Sequence, residues 1–163
     1  MLRHKFLCWL TRGSYTFEIP GEDGEPYITR YIVTKFGVRF FVHQYHTADR
    51  EPWLHDHPWG CVGIPLIGGY MEERLVRLCP LQGMVTKLRH IWTFRVNIIQ
   101  TNTFHRIVAI RPGTWTVFFH TKRTGAFGFL KQSKSWGDDR WTITYHQPKD
   151  GVLEYSRRLM KNV

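Results

Sequence analysis

The sequence predicts an all-β fold in a single domain, and three observations support this prediction. Apolar and polar residues alternate with a period of two along several short segments, which is the pattern of half-buried strands. These segments are rich in β-branched and aromatic residues, and aromatic residues make up 15% of the chain. The 163 residues match the length of one domain, and no repeat or linker divides them. We therefore treat residues 1–163 as one domain.

Four segments carry the alternation most clearly. They are residues 15–19, 38–42, 88–96 and 141–145. Glycine- and proline-containing turn signals separate the segments, for example at Gly68-Gly69. Many short strands at regular spacing are typical of a β-sandwich or a β-barrel.

The end of the chain has a different pattern. Val152, Tyr155 and Leu159 recur at helical spacing within residues 151–163, which predicts a short C-terminal helix. The basic start of the chain has too short an apolar run for a signal peptide.

Composition excludes several classes of protein. No apolar run reaches the roughly 20 residues that a membrane span needs, so no membrane contact is expected. A hydrophobic content of 42% excludes a disordered chain. Three cysteines cannot all pair and form no CxxC motif, which argues against a disulfide scaffold. A reducing, cytoplasmic compartment is the expected location.

The positive charge is concentrated in one region. The net charge is +10, and the 64 residues from Arg74 to Gly137 contain none of the 13 acidic residues but eleven of the 23 basic ones. This basic region predicts an anionic substrate or partner, such as a small anion, a nucleotide or a nucleic acid. The alternative is a solvated surface that only aids solubility. Arg30, Arg89 and Arg95 alternate with apolar residues and line either the inside or the outside of the predicted barrel.

Three histidines form a candidate metal site. In Trp53-Leu54-His55-Asp56-His57-Pro58-Trp59, an extended strand places His55 and His57 on one face, with Asp56 opposite. Their Cα atoms lie about 6–7 Å apart, which allows both imidazoles to reach one ion. His105 precedes an apolar strand and is the best third ligand. Such a set suits Fe(II), Mn, Ni, Cu or Zn and leaves coordination positions open. Alternatively, both histidines belong to a hydrogen-bond network with Asp56.

The same residues resemble the cupin superfamily. His55, His57 and Gly68-Gly69 are similar to the first cupin motif, and His105 matches the histidine of the second. The glutamate position of the first motif falls on Cys61 or Val62. More narrowly, the chain resembles uncharacterised cupin-like proteins of phages and bacteria that carry an HDHPW motif. The blocks that carry this likeness are residues 27–31, 55–59, 68–73, 105–107 and 128–129.

The resemblance implies a cupin-like barrel, that is, a double-stranded β-helix or jelly roll, with a divalent metal such as Fe, Mn, Ni or Zn. It also implies a cytoplasmic location, the host cytoplasm for a phage-encoded chain. In those proteins an Asp often follows the tryptophan of the HDHPW block, and Gly60 stands at that position here. A second carboxylate at this point is therefore missing.

Two candidates replace the missing glutamate. Strand parity places Cys61 on the same face as His57, and a thiol there is similar to thiol dioxygenases, which are cupins with three histidines. A hairpin that pairs Leu66 with Tyr70 would instead direct Glu73 into the pocket. A one-residue slip of that register would exchange Glu73 for Glu72. A solvated hairpin edge is the alternative for both glutamates.

Three functions follow from these observations. The first is a metal-dependent oxidoreductase, specifically a dioxygenase, that acts on a small anionic substrate, with Cys61 and Glu73 as candidate catalytic residues. The second is a non-catalytic module that binds a nucleotide or nucleic acid through residues 74–137. The third is a metal-free isomerase or epimerase that pairs His57 or His105 with Glu73. A homodimer is a further expected assembly.

Overall fold

The computed structural model describes residues 2–20, 25–79, 83–132, 141–149 and 152–159. These residues form one helix, α1 (Leu2–Thr11), and thirteen strands. In chain order the strands are β1 Tyr15–Pro20, β2 Pro26–Lys35, β3 Val38–Tyr45, β4 Leu54–His55, β5 Cys61–Ile67, β6 Gly69–Cys79, β7 Gly83–Trp92, β8 Asn97–Ile99, β9 His105–Ile110, β10 Trp115–His120, β11 Phe127–Gln132, β12 Trp141–Lys149 and β13 Val152–Leu159. The prediction of an all-β fold is confirmed.

The strands form two antiparallel sheets. Sheet A has the order β1-β2-β3-β10-β5-β8, and sheet B has the order β13-β12-β11-β4-β9-β6-β7. Within the described ranges, no strand pairing connects an edge of sheet A to an edge of sheet B. The described strands therefore form two sheets that are not closed into a barrel, and the cupin-like barrel or jelly roll of the sequence analysis stays a prediction.

One face of sheet A packs against one face of sheet B. Ile28, Tyr45 and Phe118 from sheet A share a buried cluster with Ile91 and Ile107 from sheet B. Successive side chains of a strand point to opposite faces of the sheet. The residues next to these five along each strand therefore point away from the cluster. The candidate site described below lies between the same two faces.

The opposite face of sheet A is covered by α1. Leu7 and Leu10 of the helix pack on Val33, Val42 and Val117. Sequence analysis did not predict this helix, because only Leu7 and Leu10 are buried among residues 5–11, the part of α1 whose side-chain burial the structure describes. No helix in the described part of the chain is long and apolar enough to cross a membrane.

The predicted C-terminal helix is wrong for residues 152–159. They form β13, which pairs antiparallel with β12 from Lys149↔Val152 to Thr142↔Leu159. This pairing leaves only two residues between the strands, and their sequence, Asp-Gly, is a strong hairpin signal. Hydrogen bonding to β12 therefore overrides the helical spacing of the apolar residues. Residues 151 and 160–163 of the predicted helix lie outside the described residues.

The predicted strand over residues 88–96 is interrupted. Strand β7 ends at Trp92, and Phe94 adopts a positive φ of 63°. The backbone N–H of Arg95 donates to the Trp92 carbonyl, and that of Phe94 donates to the Pro65 carbonyl. This turn carries the chain from sheet B to sheet A, where it continues as β8.

The predicted hairpin of β5 with β6 is also wrong. The two strands belong to different sheets, and β6 pairs with β7 and β9. Gly68 and Gly69 turn the chain between the sheets with φ values of 74° and 148°. A Cβ on Gly69 would lie 2.6 Å from the Ile91 carbonyl oxygen, so only glycine fits this corner.

Candidate metal centre

Two strands and one following segment bring three histidines together. His55 on β4 pairs directly with His105 on β9, and His57 follows β4 by two residues. The ring centroids lie 5.1 Å apart for His55 and His57, 5.0 Å for His55 and His105, and 5.1 Å for His57 and His105. One nitrogen from each ring lies within 4.8 Å of the other two. The structure therefore assembles the three residues that sequence analysis selected.

The spacing of these nitrogens fits a shared ion. His57 Nε2 lies 2.9 Å from His105 Nε2. Two nitrogens that bind one metal at about 2.1 Å and at right angles are separated by about 3.0 Å. Imidazole nitrogens suit Zn, Cu, Fe and Ni, so the donor chemistry fits a transition metal.

Burial keeps two of the three imidazoles neutral. It lowers the pKa of His55 well below its ordinary value, and the neighbouring His105 lowers it further. Burial also lowers the pKa of His57 to about 3, with His105 and Arg30 acting in the same direction. A neutral imidazole is the form that binds metal ions.

A buried carboxylate supports His105 from behind. Glu72 Oε1 lies 2.7 Å from His105 Nδ1, and the Glu72 side chain has no solvent exposure. Arg74 and Arg89 also donate to Glu72. Burial alone raises the pKa of Glu72, but the contacts with His105 and Arg74 outweigh it and hold the pKa at about 2. An ionised carboxylate at Nδ1 leaves Nε2 of His105 directed at the other two histidines, which is the usual support of a metal-binding histidine.

A second carboxylate lies behind His55. Asp49 Oδ2 is 4.0 Å from His55 Nδ1 and accepts a 2.6 Å hydrogen bond from the Ile107 backbone N–H. Asp49 Oδ1 accepts from the Tyr27 hydroxyl. Burial raises the pKa of Asp49 to about 6, and the bond from Ile107 opposes that rise. Sequence analysis missed Asp49, because its place beside His55 comes from a loop whose path no local spacing indicates.

Asp56 points away from the histidines, as strand alternation predicts. Its Oδ1 accepts a 2.8 Å hydrogen bond from Gly128 N, and its own N–H donates to the Gly128 carbonyl. These bonds attach the HDH segment to β11. The alternative network of His55 and His57 with Asp56 is therefore wrong, since the hydrogen bond of the Asp56 side chain goes to the backbone of another strand.

Cys61 lies in the wall of the cavity that also contains the three histidines. Cys61 faces the cavity as expected, although β4 ends at His55 and residues 56–60 form no strand that would carry the predicted alternation. Within the described residues, the thiol is outside the cluster that the three histidine nitrogens form. Burial and the negative charge of Glu72 raise the pKa of Cys61 to about 12. The thiol is therefore protonated at neutral pH.

Glu73 does not reach the cavity, contrary to the predicted hairpin. Its Oε1 accepts from Thr86 Oγ1 and its Oε2 accepts from Arg106 Nε, both at 2.7 Å. The neighbouring Glu72 points inward instead, because the β6 register is set by β7 and β9 rather than by β5. A one-residue change of register moves every side chain to the other face. Arg106 faces away from the cluster, as its place after His105 predicts.

The cavity between the sheets has a volume of about 580 Å³, which is within the range of small-molecule sites. Its wall is mostly aromatic and aliphatic. Arg30 contributes to this wall, whereas Arg95 is exposed and donates to the His90 carbonyl. Of the three arginines whose orientation the sequence left open, Arg30 therefore lies inside.

Part of the basic region is balanced locally. Arg74 and Arg89 form ion pairs with Glu72, and Arg106 forms one with Glu73. Glu72 and Glu73 lie directly before the basic region in the sequence. Binding of an anionic partner by this region stays a prediction.

The chain is similar to several solved structures. No family model and no curated protein matches the chain. The chain is similar to Drosophila melanogaster CENP-C, solved bound to CAL1, with 11% identity over 74% of this chain and 96% of that one, at a TM-score of 0.49. It is also similar to Fe(II)-HppE with the alternative substrate (S)-1-HPP, with 10% identity over 69% of this chain and 57% of that one, at a TM-score of 0.48. No family assignment follows from these values.

Proposed function

We propose that this protein is a metalloenzyme in which His55, His57 and His105 bind one divalent transition metal. The observation that carries the proposal is the convergence of three imidazole nitrogens within 4.8 Å of one another. Fe, Ni and Zn suit this donor set, and Mn is the fourth candidate metal. Glu72 and Asp49 stand behind two of the rings and restrict their orientation, which favours a built site over a chance cluster.

The position of the site favours catalysis over a structural metal. Three protein ligands leave coordination positions open, whereas structural zinc sites are usually closed by four. The three histidines belong to the wall of the 580 Å³ cavity, so open positions would face space for a small molecule.

An oxidoreductase is the reaction class we propose, with dioxygenase as the specific form. A transition metal with open positions supplies the Lewis acidity and redox chemistry that such reactions need. A dioxygenase places both atoms of O₂ in its organic substrate, which supplies the electrons, so no separate reductant is required. Within the chain, Glu72 and Asp49 orient ligands, and Cys61 contributes a neutral thiol to the wall.

Elemental analysis of protein purified without a His-tag tests the proposal. We expect about one transition metal per chain, and slow oxygen uptake when the Fe(II)-loaded protein meets a suitable small organic anion. The His55→Ala, His57→Ala and His105→Ala triple variant should lose both. Full metal loading of that folded triple variant would contradict the proposed site. Protein that takes up no transition metal after reconstitution would contradict the function.

A metal-free isomerase or epimerase is a second candidate, favoured by the 2.7 Å contact of His105 Nδ1 with Glu72 Oε1. A histidine oriented by a carboxylate is a common general base. This function requires Glu72 in the role that sequence analysis gave to Glu73. Proton exchange into a substrate that survives complete removal of metal by a chelator would favour this candidate over the first.

A further inference from the structure

A row of side chains crosses the inner face of sheet A, on the other side of the cavity from the three histidines. Phe17 on β1 pairs with Arg30 on β2, and Arg30 pairs with His43 on β3. Directly paired residues of an antiparallel sheet point to the same face. Arg30 and His43 both contribute to the cavity wall, so this row faces the metal centre across the cavity.

The guanidinium of Arg30 is held in one orientation. Its Nε donates a 2.8 Å hydrogen bond to His43 Nε2. Its central carbon lies 5.4 Å from the Phe17 ring centroid and 5.2 Å from that of Phe41. Aromatic rings therefore flank the guanidinium, and Nε is already used. The remaining edge of the guanidinium carries Nη1 and Nη2. These two nitrogens can bind a carboxylate or phosphonate through two parallel hydrogen bonds.

The positive charge of Arg30 is not neutralised within the described residues. Arg74, Arg89 and Arg106 each have a carboxylate partner, whereas the hydrogen bond of Arg30 goes to a histidine. That histidine is neutral, because burial and the Arg30 charge both lower the pKa of His43 well below its ordinary value. Burial likewise lowers the pKa of Arg30. A partly desolvated cation without a counter-ion is costly, and an incoming anion would reduce that cost.

We propose that Arg30 binds the oxyanion of a small organic ligand with an apolar body, a carboxylate or a phosphonate, in the cavity opposite the three histidines. Two paired N–H donors of Arg30 recognise the oxyanion, and the aromatic and aliphatic wall accommodates the apolar body. The inference rests on the proposed function for the identity of this cavity as a substrate site. The substrate is then a small organic oxyanion, and Arg30 is the residue that selects it.

Calorimetric titration of metal-free protein with benzoate, phenylphosphonate and the neutral benzamide tests the proposal. We expect at least one of the two anions to bind at least about tenfold more tightly than benzamide. Arg30→Gln should weaken binding of that anion by roughly ten- to a hundredfold and leave benzamide unchanged. Arg30→Lys, which keeps the charge but loses the forked donor pair, should give an intermediate loss.

Arg95→Gln is the matched control, since it removes the same charge from an exposed arginine outside the cavity and should leave all affinities unchanged. Absence of anion binding at millimolar concentration, equal binding of anions and amide, or an unaltered affinity in folded Arg30→Gln would each overturn the proposal. If Arg30→Gln fails to fold, the preference of the unmodified protein for the anions over benzamide still tests the proposal.

Metal content separates this proposal from the function on which it rests. Because the titrations use metal-free protein, a chain that binds the anions but no metal would contradict only the metalloenzyme. A chain that loads metal but lacks the anion preference would contradict only the Arg30 site. Metal content of Arg30→Gln should equal that of the unmodified protein.

Discussion

Glu72 Oε1 lies 2.7 Å from His105 Nδ1, and no part of the Glu72 side chain reaches solvent. The adjacent Glu73 has the same chemistry but turns to the other face of β6, where it contacts Arg106 and Thr86. These neighbours form a natural pair for testing the role of a carboxylate behind a proposed metal ligand.

Glu72→Gln should weaken metal binding by about 10- to 100-fold, because the amide cannot match the basicity that a carboxylate confers on His105. Competition with a chromophoric chelator measures the affinity, and circular dichroism checks that the variant is folded. Glu73→Gln is the control and should leave metal affinity unchanged. An unchanged affinity in folded Glu72→Gln would show that the carboxylate does not support the site.

Each of His55→Ala, His57→Ala and His105→Ala should remove stoichiometric metal, since two remaining imidazoles do not hold a transition metal tightly. Metal should also raise the melting temperature of the unmodified protein, because it binds the folded state, and should not raise that of the variants. His90→Ala removes an exposed histidine that stacks on Trp92, and this variant should keep both properties. Loss of metal in His90→Ala to the same extent would contradict the assignment.

Cys61 should react slowly with a bulky alkylating reagent in the folded protein. The thiolate is the reactive form, and burial raises the pKa of this thiol to about 12. The reaction is followed by mass spectrometry in Cys8→Ser, Cys79→Ser protein, and its rate should still be rising with pH at pH 10. Modified protein should bind less metal, because Cys61 shares the cavity with the histidines.

The exposed Cys8 supplies the comparison for that measurement. In protein that retains Cys8 alone, alkylation at pH 8 should be much faster than at Cys61. Urea should remove the difference. Equal rates in the folded proteins would place Cys61 outside a buried site.

Leu7→Ala should destabilise the protein by about 2–5 kcal/mol, which is the usual cost of a cavity at a fully buried leucine. Leu7 is 1% exposed and attaches α1 to the outer face of sheet A. Urea unfolding gives the free energy. The neighbouring Phe6 is 50% exposed, and Phe6→Ala should cost less than about 1 kcal/mol. Similar losses for both variants would mean that α1 does not pack as described.

Gly68→Ala and Gly113→Ala separate backbone strain from steric conflict. Both glycines have a positive φ, 74° and 72°, but a Cβ on Gly68 would lie 3.0 Å from Thr114 Cα, whereas one on Gly113 would meet nothing within 4 Å. Gly113→Ala should therefore cost about 1–2 kcal/mol of unfolding free energy from strain alone. Gly68→Ala should cost at least about 1 kcal/mol more. Equal costs by urea unfolding would remove the steric part of the explanation.

Sequence patterns singled out the three histidines that the structure brings together. The HxH spacing fixes the relation of His55 to His57, and the apolar strand that begins at His105 marks a third ligand near a strand end. The choice between Glu72 and Glu73 was not predictable in the same way. It depends on which strands flank β6, and the turn at Gly68-Gly69 moves β6 into the other sheet.

Other features depend on contacts between distant parts of the chain. The apolar residues of the segment 152–159 recur at helical spacing, but the segment forms a strand because it pairs with β12. Asp49 comes near His55 because its loop is bonded to Ile107 of β9. The alternation that predicted one strand over residues 88–96 continues through the turn at Phe94, where a backbone dihedral angle rather than a change of residue type ends β7.

The pairing of His55 with His105 has a consequence for the order of folding. His57 and His105 are 48 positions apart, and the nitrogens come within 2.9 Å only when β4 and β9 are aligned. Closing so long a loop is slow compared with the formation of local hairpins. A metal ion would therefore find its complete ligand set late, after the long-range topology has formed. Acquisition of metal during refolding would report the alignment of β4 with β9 in sheet B rather than nucleate it.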